Sequence, residues 1–319
     1  MTPIRVGVVG VGHLGFHHAR VYSGLAEVQL VGVVDRDVDR AIKASAEFGA
    51  PMFTACEELL AEGVDAVSVV VPTSEHRDVA LQCIGSGADV LVEKPIAATI
   101  EEAESIVEAA RKRGRLVQVG HIERFNGAVV ALMEAVKNPR FIECHRLSPY
   151  PNRGEDVSVV LDLMIHDLEI LLALVGSGVA QVDAVGVPVF SKYEDIANAR
   201  IRFENGCVAN VTCSRVSMEK MRKIRIFAND AYVSTDYSAQ EVIVYRKKPI
   251  ELTPDMTPME LIDIEPLEVH KEEPLKRELE SFVSCVRTRS RPLVSGDDAL
   301  NALRLAQQVI DSIRAGGSA

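Results

Sequence analysis

Residues 6–20 read VGVVGVGHLGFHHAR. An apolar, strand-like run stops at Gly10, and a helical pattern starts after Gly12. Gly10, Gly12 and Gly15 form GxGxxG between the two. In that setting the first glycine permits a tight turn, the second lets a pyrophosphate approach the backbone, and the third packs helix on strand. The helix N-terminus adds free N–H groups and a partial positive charge for phosphates. His13 and Leu14 fall inside the loop and are expected to line the same place. The glycines alone are a weak signal. Their partner is Asp35, at the end of the next strand-like run and 20 residues beyond Gly15. Its carboxylate accepts hydrogen bonds from adenosine ribose hydroxyls and repels a 2′-phosphate, which favours NAD over NADP. Arg36 pulls the other way, since a guanidinium pairs with that phosphate or stacks on adenine. His13, His17 and His18 read as surface or cofactor-lining residues of this helix.

Working outward, strand-like runs at 4–9, 28–34, 65–71, 88–92 and 115–119 alternate with helical patterns near 14–23, 37–47, 76–85 and 99–113. This alternation predicts an α/β, Rossmann-type domain over residues 1–120, with a parallel sheet covered on both faces. From about 121 the pattern changes. A helix near 124–137 and a strand near 140–148 lead to a helix opening near 161. Strand-like runs then follow one another at 181–189, 197–204, 207–214, 222–228 and 240–246. ENGC, at 204–207, reads as a hairpin turn. Residues 121–319 are therefore expected to form an α+β domain with a largely antiparallel open sheet. Residues 247–272, rich in proline, read as loop. Leu275, Leu279, Phe282, Val283 and Val286 recur at helical spacing. The final helix starts at Ser295, a plausible N-cap, and the closing helices are free to pack back on the first domain.

Composition excludes some classes. The formal net charge is −11, and the chain has no long run of Lys or Arg, which argues against nucleic acid or an anionic membrane as main partner. No run of about 18 apolar residues appears, so no membrane span is expected. The N-terminus lacks the pattern of a signal peptide, and the six cysteines are scattered without CxxC. Both point to a cytoplasmic protein with reduced thiols.

Three further segments carry chemistry. VEKP ends the strand at 88–92 with Glu93, Lys94 and Pro95. GHIERFN, at 120–126, follows the strand at 115–119. LDLMIHD, at 161–167, sets Asp162 and His166 four apart inside an apolar run. By spacing alone an Asp and a His four apart read as an ion pair on an exposed helix face. On a wheel of about 100° per residue, Asp162, His166 and Glu169 share a stripe turned to a cavity or solvent. Leu161, Met164, Leu168, Leu171 and Leu172 fall opposite, toward the core, and Asp167 falls off the stripe.

These segments, in this order after the glycine loop, resemble the Gfo/Idh/MocA family of nicotinamide-dependent sugar and polyol oxidoreductases, over essentially the whole chain. The resemblance implies that Lys94 reaches substrate and nicotinamide, and that Asp162 and His166 are the family's Asp/His pair. It implies that Thr73, Ser74 and His76 line the cofactor, with Glu93 beside it, and that Pro95 follows a cis bond. The family's glycine within the Asp/His motif is Met164 here, its preceding Gly-Gly is replaced by EDVSVV, and its later Asp is Glu169. These departures argue against a plain glucose or inositol pocket. Within the family the chain is most similar to the branch that oxidises nucleotide-linked sugars, which implies the C3 hydroxyl of UDP-N-acetylglucosamine as the reacting group. The same resemblance implies a partner aminotransferase consuming the 3-keto product, on the way to diamino-sugar lipid A, and a homodimer or homotetramer.

Oxidising an alcohol with NAD requires a base for the hydroxyl proton. Histidine suits near-neutral pH. Asp162 would orient His166 and stabilise its protonated form, while Lys94 would stabilise developing alkoxide charge. The residues leave open which of Lys94 and His166 takes the proton; His166 is the preferred base. No HExxH or Cys cluster supplies further ligands, so no metal is expected. Arg124 and Asn126, with Arg146, Tyr150, Asn152 and Arg153, suit a diphosphate-linked sugar. The alternatives are a dehydrogenase of a free polyol or another UDP-sugar, and a non-catalytic NAD-binding regulator. The regulator reading expects Lys94 or His166 to be lost, and both are present.

Overall fold

The computed structural model describes residues 2–150, 157–250 and 257–316. They divide into two units: residues 1–125 with 273–303, and residues 126–272 with 304–319.

The first unit carries strands β1 (Ile4–Val9), β2 (Val28–Val34), β3 (Met52–Phe53), β4 (Ala66–Val69), β5 (Asp89–Glu93) and β6 (Val117–Gly120), in the order β3-β2-β1-β4-β5-β6. Every pairing is parallel. Between the strands run α1 (His13–Gly24), α2 (Val38–Phe48), α3 (Cys56–Ala61), α4 (His76–Ser86) and α5 (Ile100–Arg113). Their ends follow local chemistry. Asp37 caps α2 by accepting from the N–H of Asp39 and Arg40, and Gly49 ends it at φ 66°. Thr99 and Glu102 form a capping box on α5, which ends in Arg111, Lys112 and Arg113, complementing the helix dipole. The sequence reading gave no element at 52–61, where β3 and α3 lie. A two-residue strand carries no period from which to read it.

The second unit opens with α6 (Gly127–Ala135) and β7 (Phe141–Leu147). One π-helical turn (Val160–Met164) runs into α7 (Ile165–Val175). Strands β8 (Val179–Val187), β9 (Ile196–Phe203), β10 (Val208–Ser214), β11 (Met221–Phe227), β12 (Ala231–Asp236), β13 (Glu241–Lys247) and β14 (Ile262–Pro266) follow. The eight-stranded open sheet runs β14-β13-β12-β11-β7-β10-β9-β8. Its one parallel pairing is β7 with β10; the rest is antiparallel. The ENGC turn joins β9 to β10 as a hairpin, with positive φ at Gly206. The expected loop at 247–272 is corrected by β14, whose edge position tolerates Pro266.

Two helices close the chain, α8 (Pro274–Thr288) and α9 (Gly296–Gly316). All five apolar residues singled out in α8 are buried, in one cluster with Val6, Val8, Tyr22, Val33 and Leu91 of the first unit. Ser295 caps α9 reciprocally with Asp298, whose carboxylate takes the Ser295 N–H at 2.9 Å.

Candidate active site

The sheet order of the first unit reverses between β1 and β4, and ligands of such sheets bind outside the strand ends at that point. The glycine loop sits there. Gly10 has φ +89°, and a Cβ on it would meet Val70 O at 2.5 Å. A Cβ on Gly15 would run into the carbonyl oxygen of Gly10. The fold itself thus requires both glycines. Gly12 differs: its φ is −62°, and a Cβ there meets nothing nearer than Arg40 Nη1 at 3.8 Å. Among the described residues only the far end of a flexible side chain lies beside it, which leaves the backbone open to a pyrophosphate. Asp35 ties the loop to β2, accepting from the N–H of Val11 and of Asp37, each at 2.9 Å. A cavity of about 690 Å³ opens over Gly10, Gly12, Asp35 and Arg36, large enough for a nucleoside. These residues fit NAD. His13 and Leu14 are exposed beside the loop, and Thr73 and Ser74 form the turn after β4.

Three residues expected near the cofactor are placed otherwise. His76 is 1% exposed and bridges two loops, its Nδ1 2.8 Å from Pro95 O and its Nε2 2.9 Å from Val71 O. Burial pushes its pKa down, against the two carbonyls, which favour the protonated ring. His76 is therefore a brace between the ends of β4 and β5, not a surface for the cofactor. His18 is fully buried, with Nε2 3.1 Å from Glu93 Oε1, so it does not belong with the exposed His13. Glu93 turns inward, and its other oxygen accepts the Lys94 N–H at 3.2 Å. Its carboxylate lies where a Cβ on Gly120 would be, within 2.7 Å, so that glycine makes room for it.

Behind Glu93 lies Glu278 of α8, fully buried, with neither carboxylate oxygen hydrogen-bonded among the described residues. Burial, and then the charge of Glu93, push its carboxyl well above the usual range, which favours the neutral acid. Lys94 is half-buried after β5, and its bond to Pro95 is cis. His121, fully buried, is held down to about 3 by burial and then by the charges of Lys94 and Arg124. Lys94 and Arg124 therefore both lie close enough to His121 to act on its charge, and Arg124 is itself buried, at 8% exposed.

In the second unit the π turn alters the helical wheel. A wider turn inserts extra backbone before α7, so 100° spacing no longer holds across 160–166. Asp162 and His166 are both half-buried, whereas Glu169 is 2% exposed and leaves the stripe. Leu161 and Leu172, expected in the core, are half-buried. Met164 is fully buried and offers no surface to a pocket. The turn is anchored at its start: Val160 N–H donates to Ser158 Oγ, and Val159 N–H donates to Glu194 O at 3.0 Å. The next residue, Asp195, accepts from the N–H of Val189, Phe190 and Ser191 and pairs with buried Arg215 at 2.8 Å. Burial opposes that charge, and these donors outweigh it, holding the Asp195 carboxyl well below the usual range. Nothing in the sequence pattern marked Asp195 and Arg215, which lie 20 residues apart on different segments.

The basic and amide groups assigned to substrate divide likewise. Arg146 is 4% exposed and grips Asp167 with two hydrogen bonds, at 2.8 and 3.0 Å. It is a structural ion pair rather than a substrate group. Asn126 is corrected too: it caps α6 through the Ala128 N–H and donates to Tyr237 O at 3.3 Å. Tyr150 packs edge-on against Phe190. Asn152 and Arg153 lie outside the described residues.

A dinucleotide fold of this kind joined to this open sheet defines a class of nicotinamide-dependent oxidoreductases. Residues 4–121 match the family described as oxidoreductase family, NAD-binding Rossmann fold, and residues 127–234 match the Gfo/Idh/MocA C-terminal domain. The chain belongs to the Gfo/Idh/MocA family, and its cofactor is NAD. UDP-N-acetylglucosamine 3-dehydrogenase of Acidithiobacillus ferrooxidans is 36% identical over 99% of both chains. A solved structure of that enzyme has a TM-score of 0.92 with this chain. Scyllo-inositol 2-dehydrogenase (NAD(+)) of Bacillus subtilis is 26% identical, over 98% of this chain and 95% of its own. Levoglucosan dehydrogenase, solved with NADH and levoglucosan, shares the fold at TM-score 0.85 and 16% identity, covering 98% of each chain.

Proposed function

We propose that this chain oxidises the C3 hydroxyl of UDP-N-acetylglucosamine to a ketone. The observation that carries this reading is the full-length similarity to the UDP-N-acetylglucosamine 3-dehydrogenase, 36% against 26% for the inositol enzyme. When bound, NAD supplies the hydride acceptor. His166 takes the hydroxyl proton, and Asp162 orients its ring and stabilises the imidazolium. Lys94 donates to the reacting oxygen and stabilises the charge that develops there.

The test is nicotinamide reduction with a panel of UDP-sugars and free polyols, in the presence of an aminotransferase or another trap for the ketone. UDP-N-acetylglucosamine is expected to react; reaction with free polyols alone overturns the reading. His166→Ala and Lys94→Ala are each expected to lower kcat by about 10²–10⁴-fold. Near-normal turnover in both removes the assigned roles.

The protein acts in this reading as a cytoplasmic homodimer or homotetramer. Support for assembly comes from an aromatic strip on one sheet face, Phe141–Phe227–Tyr232–Tyr245, with adjacent ring centroids 4.8–5.7 Å apart and Phe227 37% exposed. Sedimentation of wild type and Phe227→Asp tests it: a monomeric wild type would overturn it.

A further inference from the structure

Arg36 follows Asp35 at the end of β2, where a guanidinium would pair with the 2′-phosphate of NADP. Here it is engaged. Its Nη1 donates to Glu75 Oε1 at 2.9 Å, and its Nη2 lies 2.7 Å from Glu75 Oε2, a two-pronged pair. Glu75 comes from the turn after β4, 39 residues away, and lines the same cavity as Asp35. The Arg36 side chain is 80% exposed, and a pair so exposed contributes little to stability. Its location over the nucleoside cavity is therefore the property to explain. The other arginine on that rim, Arg40, is likewise held, 3.2 Å from Asp37. Four carboxylates (Asp35, Asp37, Glu57, Glu75) face two guanidiniums (Arg36, Arg40) around the cavity, which leaves two net negative charges.

We propose that Glu75 is a second determinant of cofactor choice: by holding Arg36 it withholds the guanidinium from a 2′-phosphate and adds its own charge to the repulsion from Asp35. The proposal rests on NAD binding and is independent of which alcohol is oxidised. Glu75 is not near Asp35 in sequence, so only the fold brings it there.

The test is direct binding of NADH and NADPH, followed by nicotinamide fluorescence, for wild type, Glu75→Gln, Arg36→Gln and the double variant. No sugar is needed, so the result stands apart from the substrate assignment. Wild type is expected to bind NADH more tightly. Glu75→Gln is expected to shift the NADPH-to-NADH affinity ratio about tenfold toward NADPH, mainly by tightening NADPH. The double variant is expected to lose that gain. An unchanged ratio in Glu75→Gln overturns the proposal. A shifted ratio that persists without Arg36 overturns the withheld-guanidinium part. Should Glu75→Gln bind neither nucleotide, Glu75→Ser gives the same ratio with a smaller side chain; an unshifted ratio there also overturns it.

Discussion

Gly12 and Gly15 stand three residues apart in one motif, yet the structure gives them different reasons to be glycine. Gly15 is required by the fold, because any Cβ there meets the Gly10 carbonyl. Gly12 has an ordinary φ, and a Cβ there would touch only the far end of the Arg40 side chain. Gly15→Ala is therefore expected to destabilise the protein by about 3 kcal/mol, read from denaturant unfolding. Gly12→Ala is expected to stay within about 1 kcal/mol of wild type while weakening NADH binding at least tenfold. If both variants unfold alike, Gly12 has a structural role the geometry does not show. At this scale the pairing of the glycine loop with Asp35 was legible, because their spacing is local, and the fold sets Gly10, Gly12 and Asp35 around one cavity. It misplaced His18, His76 and Asn126. Each is a polar residue in a motif whose partner is a backbone group or carboxylate on another segment, and no spacing reveals such partners.

Among the elements, α8 combines the most legible and the least legible features. Its apolar stripe was readable residue by residue, since a 3.6-residue period is local information. Glu278 sits within that helix as an acid facing the core, and its consequence depends first on its burial and then on Glu93, which is 185 residues away. Below the ordinary carboxylate pKa of about 4.3, Glu278 is protonated folded or unfolded and has no net effect. Above it the unfolded chain releases a proton that the folded chain keeps. Stability then falls as pH rises, by about 1.4 kcal/mol per unit, until the raised folded pKa is reached. Glu278→Gln removes this loss. Its gain in Tm is expected to be larger at pH 8 than at pH 5; an equal gain at both would mean the carboxyl is ionised in the fold. The π turn before α7 was unreadable for a related reason. A wheel assumes one period throughout, and this turn departs from it, held at its start by Ser158 two residues before and by Glu194 on another segment.

For the molecule as a whole, the first unit is discontinuous in sequence: residues 273–303 return to complete a core begun by β1, α1 and β2. Each of the five apolar residues of α8 contributes about 1.5–3 kcal/mol by burial, comparable in sum to the entire stability of a domain. Residues 1–125 alone are thus expected to lack a cooperative unfolding transition, and joining 273–303 to them by a short linker to restore one. A cooperative transition in the shorter fragment would show that α8 is dispensable. The two-part, α/β then mostly antiparallel architecture was legible from the alternation of periods. The return of α8 was legible only as an open possibility, because an amphipathic stripe states that a partner exists without naming it. That return also sets a timetable for synthesis. The ribosome must complete residues 126–272 before α8 is made, an interval of roughly seven to thirty seconds at about 5–20 residues per second. Throughout it the nascent sheet presents Val8, Val33 and Leu91 without their cover, so the growing chain is most dependent on chaperones while its second half is being translated.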